Sequence, residues 1–289
     1  MRYVEPVFRP PSEAESLILQ VTVGCSHNRC TFCAMYRNKR FFVRDLREVL
    51  AEIAEAAAEW PEAPRVFLGD GDALAAPADF LKEVLSALKR QFPRLRRVTC
   101  YATPMNLLEK THDELKELAA SGLSLLYVGL ESGSDAVLKA VGKGATSGEC
   151  VEGVAKAKAA GIRSSVMVLL GLGGVEGSEM HARETARAVN RMAPAYLSAL
   201  TWIPVAQAPL ARGLEAGRFR LPDDDGILDE LALLIEHLDA EGCVFRANHA
   251  SNPLPIGGRL NRDKQRLLAA VAAAREGLLP LRPHYLRGT

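Results

Sequence analysis

The sequence predicts an α/β protein, a partial (β/α)6 barrel followed by a C-terminal α-rich extension. Six short apolar, β-leaning runs alternate with segments of helical period between about residues 17 and 203, the signature of parallel βαβ units. Right-handed crossovers wind such units into a curved sheet with the helices outside. A full eight-fold barrel takes about 250 residues, so six units predict a barrel short of completion. Unusual loops, rich in glycine or polar residues, follow five of the strands at their C-terminal ends. That rim is where such folds carry their chemistry.

Residues 1–16, with Pro6, Pro10 and Pro11, read as an extended lead-in. Residues 17–23 (LILQVTV) suit a buried strand. After a cysteine-rich loop, residues 45–60 place Leu46, Val49, Leu50, Ile53 and Ala57 at helical spacing behind the N-cap residue Asp45. Pro61 and Pro64 end that helix. Residues 65–68 (RVFL) are the next strand, running into Gly69-Asp70-Gly71-Asp72. Helix 77–92, strand 96–101 and helix 111–120 follow, the last opened by the capping box Thr111-His112-Asp113-Glu114 and closed by Gly122. Strand 125–130, a short helix at 135–141, helix 147–160, strand 163–170, helix 178–192 and strand 196–203 complete the six units. Beyond them lie an amphipathic helix within 222–240, a strand at 243–247, a polar loop at 248–258 and a helix at 263–276. The expected organisation is a lead-in (1–16), a barrel (17–210) and an extension that closes its open side (211–289).

Hydrophobic residues make up 48% of the 289 and charged residues 25%, as in an ordinary globular protein. Lys+Arg 36 against Asp+Glu 35 leaves +1, so no bulk field draws nucleic acid or a membrane. No apolar run approaches the roughly 18 residues of a spanning helix, and the N-terminus lacks an apolar signal core. Half of the six cysteines crowd into one loop, which predicts a reducing cytoplasm.

That loop, GCSHNRCTFCAMY, sets Cys25, Cys30 and Cys33 in a C-x4-C-x2-C spacing. The count is odd and the spans are short for disulfides. Zinc held by the three thiols with His27 is one reading, buried structural thiols a second. A [4Fe–4S] cluster on three thiolates, leaving one iron open, is a third.

Phe32 lies between the second and third cysteines, and Met35-Tyr36 follow the third. With a strand before and a βα rim after, this stretch resembles the radical S-adenosylmethionine (SAM) superfamily, whose familiar pattern is C-x3-C-x-φ-C with φ aromatic. One additional residue separates the first two cysteines here. The resemblance implies that Cys25, Cys30 and Cys33 hold the cluster and that Phe32 and Met35 border the cofactor. Gly69, Asp70, Gly71 and Asp72 stand where the family carries the glycine-rich turn that holds the SAM amino group. Glu131-Ser132-Gly133-Ser134 resembles the (Q/E)-S-G-S of tRNA methylthiotransferases. Lys143 sits where a basic side chain meets the SAM carboxylate in related enzymes. Gly171-Leu172-Gly173-Gly174 resembles a G-L-P-G turn, with Gly173 in place of proline. Thr201 begins a segment similar to the one that packs under adenine. Coproporphyrinogen-oxidase-like members carry an acidic residue near Thr99-Cys100-Tyr101 and an Asp at Met167, so ribose contacts are expected from Ser165 or Glu131. Singly, Gly69–Asp72 reads equally well as a tight turn, Glu131 reads better as a surface carboxylate and Lys143 as a solvated helix-end lysine, and Gly171–Gly174 also fits a flexible connection. Their order over residues 17–210 carries the inference.

The resemblance implies reductive cleavage of SAM to a 5′-deoxyadenosyl radical that takes hydrogen from a substrate, with electrons from a flavodoxin- or ferredoxin-type donor. A small-molecule substrate is expected, because no added RNA-binding domain is visible. The alternatives are a tRNA- or peptide-modifying member and a non-catalytic Cys3His zinc protein. On the substrate side, His249 in the polar segment 246–252 is the leading candidate. Cys100, as a radical-quenching thiol, and Tyr101 are further candidates. His181 is expected at the surface, and Cys150 is expected to be structural.

Overall fold

The computed structural model describes residues 1–288. Its main sheet has eight strands: β1 (Leu17–Gln20), β4 (Arg65–Gly69), β5 (Arg97–Ala102), β6 (Leu123–Glu131), β7 (Arg163–Leu170), β8 (Tyr196–Thr201), β9 (Val244–Ala247) and β10 (Ile256–Arg259). They are joined in that order, with β1 and β10 as edges, so the barrel is not closed. A two-stranded ribbon pairs β2 (Thr22–Val23) with β3 (Phe42–Val43). The helices are α1 (Leu46–Glu59), α2 (Ala78–Gln91), α3 (Pro104–Glu109), α4 (His112–Ser121), α5 (Asp135–Ala140), α6 (Ser147–Ala159), α7 (Gly174–Met192), α8 (Pro209–Glu215), α9 (Asp224–His237) and α10 (Lys264–Arg275). The chain divides into two compact units. The first holds Met1–Asn28, Met35–Val128 and Gly153–Ser164, and the second holds Arg29–Ala34, Gly129–Glu152 and the chain from Ser165 onward.

In the first unit β1, β4, β5 and β6 pair in parallel, with Leu19 beside Leu68, Leu68 beside Cys100 and Cys100 beside Leu126. Side chains alternate along a strand, so these four share a face, and all are buried. Phe67, Thr99, Tyr101 and Tyr127 occupy the opposite face. There the rings of Phe67, Tyr101 and Tyr127 meet edge to face at 5.2–6.2 Å. The Asp45 carboxylate caps α1 through the amides of Arg47 and Glu48, and the helix buries Val49, Ile53 and Ala56. The capping box of α4 forms as the sequence predicts, and Gly122 ends that helix at φ +114°, a conformation that suits glycine.

In the second unit β7, β8 and β9 are parallel, and β10 turns back antiparallel on β9. Helix α9 buries Ile227, Leu228, Leu231, Leu234 and Ile235. Along its length α7 buries Ala182, Ala186 and Val189.

Several elements differ from the sequence expectation. Residues 17–23 do not form one strand. They break at Val21, and Thr22–Val23 pair with β3 instead. A two-residue ladder has no periodicity to detect. Two glycines hide β10 (IGGR), so the extension contributes two strands beside its helices. Pro104 opens the short α3, and α7 starts at Gly174 rather than at 178 because the glycine turn leads directly into it.

Candidate active site

In the first unit the 69–72 turn leaves the carboxyl end of β4. Asp70 is fully buried. Its Oδ2 accepts hydrogen bonds from Lys39 Nζ at 2.8 Å, the Gly24 amide at 3.0 Å and Gln20 Nε2 at 3.1 Å. Its Oδ1, equally buried, has no hydrogen-bond partner. Lys39 is itself held by the carbonyls of Val4 and Pro6. The Gly71 amide donates to the Gly24 carbonyl at 3.1 Å. The first residue of the cysteine loop is thus tied to this turn through both of its backbone groups. Gly24 has φ +76°, and a Cβ at Gly71 would fall 2.2 Å from the Tyr36 ring. Both positions therefore require glycine. Asp72, also buried, accepts hydrogen bonds from Ser26 and Asn106. Met35 is exposed.

Tyr101 lies partly exposed on the aromatic face. Cys100 faces the other way, fully buried, and burial pushes its pKa up. A radical-quenching role needs access that this face lacks, so Cys100 leaves the candidate set.

In the second unit, residues 29–34 carry Cys30 and Cys33. The Thr31 amide and hydroxyl donate to the Val141 carbonyl, and the Leu210 amide donates to the Thr31 carbonyl. Phe32 packs against a cluster of Val137, Val141, Leu172 and Trp202, and Trp202 Nε1 donates to the Phe32 carbonyl at 3.1 Å. Lys143 is buried and meets Glu131 at 2.9 Å. Burial opposes the lysine charge, but the Glu131 carboxylate and the Cys30 and Cys150 thiols hold its pKa above the ordinary value. Glu131 ends β6 at φ +65°. A Cβ at Gly129 would stand 2.0 Å from the Glu131 carboxylate, so Gly129 makes room for the pair. Two residues predicted to contact one ligand are therefore paired with each other.

Ser132 and Gly171 join a buried network that the sequence did not announce. Neutral His181 is 1% exposed, not at the surface, and burial lowers its pKa to about 4. Its Nε2–H donates to the Leu169 carbonyl at 3.1 Å, so Nδ1 accepts from the Ser132 hydroxyl at 2.7 Å. Ser132 Oγ in turn receives the Ser134 amide, and Thr185 receives the Gly133 amide. Glu230 of α9 accepts the Gly171 amide at 2.7 Å and the Ser178 hydroxyl. Burial raises the Glu230 pKa to about 7 against those two bonds. It stands 3.4 Å from His181 Nε2, a contact that is not an ion pair because the imidazole is neutral.

At the end of β8, the Thr201 hydroxyl donates to Asn252 Oδ1 at 2.8 Å and its amide donates to Ser251 Oγ at 3.1 Å. Asn252 Nδ2 returns a bond to the Ala199 carbonyl. His249 Nδ1 lies within 2.9 Å of Ser251 Oγ, and burial, helped by Arg282, lowers its pKa. A cavity of about 430 Å3 opens here, lined by Thr201, Trp202, Leu221, Asp224, Ser251 and Arg287 among others. Ser165 is buried in β7 at the opposite end from Gly171.

Cys25, Cys30 and Cys33 are each partly exposed. Cys25 belongs to the first unit and the other two to the second. Among the described residues, no three His, Cys, Asp or Glu side chains stand together as a ready metal-binding set. No described helix is long and apolar enough to cross a membrane. Lys39, Asn106 and Glu230 escaped the sequence reading, and His181 was expected at the surface, because single buried polar residues carry no spacing signal. Only the sharp polar break of Glu230 in the apolar stripe of α9 could have pointed to it.

Residues 19–185 match the profile of the Radical SAM superfamily. The chain is 24% identical over 164 residues to the 4′-phospho-dehydrooxetanocin synthase of Priestia megaterium, a match covering 51% of this chain and 22% of that protein. Among solved structures, the radical SAM methyltransferase TsrM from Kitasatospora setae, with cobalamin and a [4Fe–4S] cluster bound, superposes at a TM-score of 0.56 and 18% identity over 91% of this chain and 61% of its own. Coproporphyrinogen III oxidase HemN from Escherichia coli, a radical SAM enzyme, gives 0.56 and 18% over 76% and 51%. The chain thus spans about a fifth of the curated relative and roughly half of these two structures.

Proposed function

Since the chain belongs to the radical SAM superfamily, whose members use a [4Fe–4S] cluster and SAM, we propose that Cys25, Cys30 and Cys33 hold the cluster and that the 69–72 turn holds the SAM amino group. The observation that carries this reading is the two-way hydrogen bonding between Gly24 and the Asp70-Gly71 turn, which fixes the start of the cysteine loop against the ligand turn. The residues present fit the group. Three thiols in nine residues, none fully buried, form a donor set suited to iron. A loop this short can gather its thiols when metal binding couples to folding. The buried Asp70 Oδ1 is an acceptor awaiting a donor such as an ammonium. When bound, cluster and SAM supply a one-electron cleavage that delivers a 5′-deoxyadenosyl radical. The chain contributes the clamp at Gly24, the Glu131–Lys143 pair and a partly exposed Tyr101 near the end of β5.

The cavity of about 430 Å3 beside Thr201 has the dimensions of a small-molecule site, and His249 lies next to it through Ser251. A small molecule is therefore our proposed substrate class, with a flavodoxin- or ferredoxin-type protein as electron source and a reducing cytoplasm as the compartment. Anaerobic reconstitution tests the reading. About four iron and four sulfide per chain are expected, with 5′-deoxyadenosine formed from SAM under dithionite and lost in Cys30→Ala. Zinc without sulfide, or S-adenosylhomocysteine as the sole product, overturns it.

A further inference from the structure

Glu230 is a carboxylate buried to 1% exposure with no lysine or arginine paired to it among the described residues. Burying such a group is costly unless it is fully hydrogen-bonded, and apolar residues otherwise fill this side of α9. Its two oxygens take up the Gly171 amide and the Ser178 hydroxyl. One turn of chemistry away, His181 takes up the Ser132 hydroxyl and supports the Leu169 carbonyl. Thr185, one helical turn beyond His181 on α7, takes up the Gly133 amide.

The consequence concerns donors. The 131–134 and 171–174 turns each leave the carboxyl end of a strand and present backbone amides at their tips, and the first adds the hydroxyls of Ser132 and Ser134. In this arrangement the Ser132 hydroxyl and the Gly133, Ser134 and Gly171 amides are all engaged inside the protein. None of these four donors is left for a ligand. What these four groups contribute to a ligand site is therefore fixed shape.

We propose that His181 and Glu230 are positioning residues for the cofactor: from α7 and α9 they hold the 131–134 and 171–174 turns in one preset arrangement, so that these turns shape the SAM site while the Ser132 hydroxyl and the Gly133, Ser134 and Gly171 amides stay bonded within the protein. The inference rests on the SAM reading above. It goes beyond that reading because Glu230 lies past residue 185, where the family match ends. The C-terminal extension thus supplies a residue on which the core site depends. Glu230→Gln preserves the arrangement, since a carboxamide oxygen can accept the Gly171 amide while its nitrogen donates to Ser178. Glu230→Leu removes it.

Amide exchange on the full chain, read with and without SAM, tests the point without any variant. The Gly133, Ser134 and Gly171 amides are expected to be protected before SAM is added and to gain little on its addition. Free exchange in the SAM-free protein, with protection arising only when SAM binds, overturns the proposal, because SAM would then be taking those donors. Equilibrium dialysis of SAM against unreduced, reconstituted protein adds a second reading. Glu230→Leu is expected to weaken binding about tenfold or more and Glu230→Gln by no more than about threefold. A purely structural role would lower the melting temperature of Glu230→Leu and leave SAM affinity unchanged, which also overturns it. Protected amides in a chain that binds no SAM would sink the cofactor reading and leave the clamp standing.

Discussion

Glu131 and Lys143 show what burial does to a charged pair. Each is nearly removed from solvent, and Glu131 also occupies a backbone region that costs a non-glycine residue of order 1 kcal/mol. Lys143→Met would leave a buried carboxylate uncompensated and is expected to lower stability by about 3–5 kcal/mol. Adding Glu131→Gln should recover much of the loss. Urea midpoints of the two single variants and the double variant check this; simple additivity would mean that the two do not interact. Glu230 makes the opposite case. Its carboxyl has a pKa of about 7 in the folded chain against an ordinary 4.5. The folded protein therefore holds an extra proton between those values, so the stabilisation present below about pH 4.5 is lost as pH rises through 7. His181, pushed from 6.5 to about 4, slopes the other way between 4 and 6.5, and the two effects largely cancel in the wild type. The groups facing Glu230 are His181, Ser178 and the Gly171 amide, none of them cationic at these pH values. Glu230→Gln removes one side of the balance. It is expected to gain on the wild type as pH rises from 4.5 to 7, by an amount on the order of 3 kcal/mol. Denaturant titrations at the two pH values read the gain directly, and no gain would mean that the carboxyl is already ionised at pH 4.5.

Single elements owe their placement to a few anchors. Residues 29–34 have no regular structure, yet the Phe32 side chain and the bonds to Val141, Leu210 and Trp202 fix them within the second unit. Loop 248–252 is held in a comparable way. Asn252, 1% exposed, bonds the Ala199 carbonyl and the Thr201 hydroxyl, while Arg282 donates to the carbonyls of His249 and Asn252. The polar density of that loop therefore serves the end of β8 first. Asn252→Ala strands two partners and is expected to cost about 1–3 kcal/mol. Hydrogen exchange should quicken at residues 248–253 while α9 stays protected. Equal quickening of α9 would show that the loop has no separate anchor.

For the molecule as a whole, ligand linkage is the most direct measurement. Anything bound only by the folded state raises stability, by about 2.7 kcal/mol at a hundredfold excess over the dissociation constant. SAM is therefore expected to raise the melting temperature of reconstituted wild type and to leave Cys30→Ala unmoved. An equal shift in both would mean that SAM binds without the cluster. The family match stops at residue 185, whereas β8, β9, β10 and α9 lie beyond it and complete the sheet and the second network.

The alternation of apolar runs and helical periods was enough to read the strands from β4 to β9 and the rim loops after them, because burial on one face imposes a period that the residue order must carry. The cysteine spacing was legible for a different reason: Cys25, Cys30 and Cys33 are neighbours along the chain, so their grouping is visible without the fold. Clamps were not legible. Lys39 to Asp70, His181 to Ser132 and Glu230 to Gly171 join residues dozens of positions apart, and a lone polar residue leaves no period behind. Cys100 and Tyr101 are adjacent in the chain, yet one is sealed and the other partly open. Folding decided that: the two lie on opposite faces, and on its own face Tyr101 is partly exposed while Phe67 and Thr99 are sealed, so what packs over each position sets its exposure.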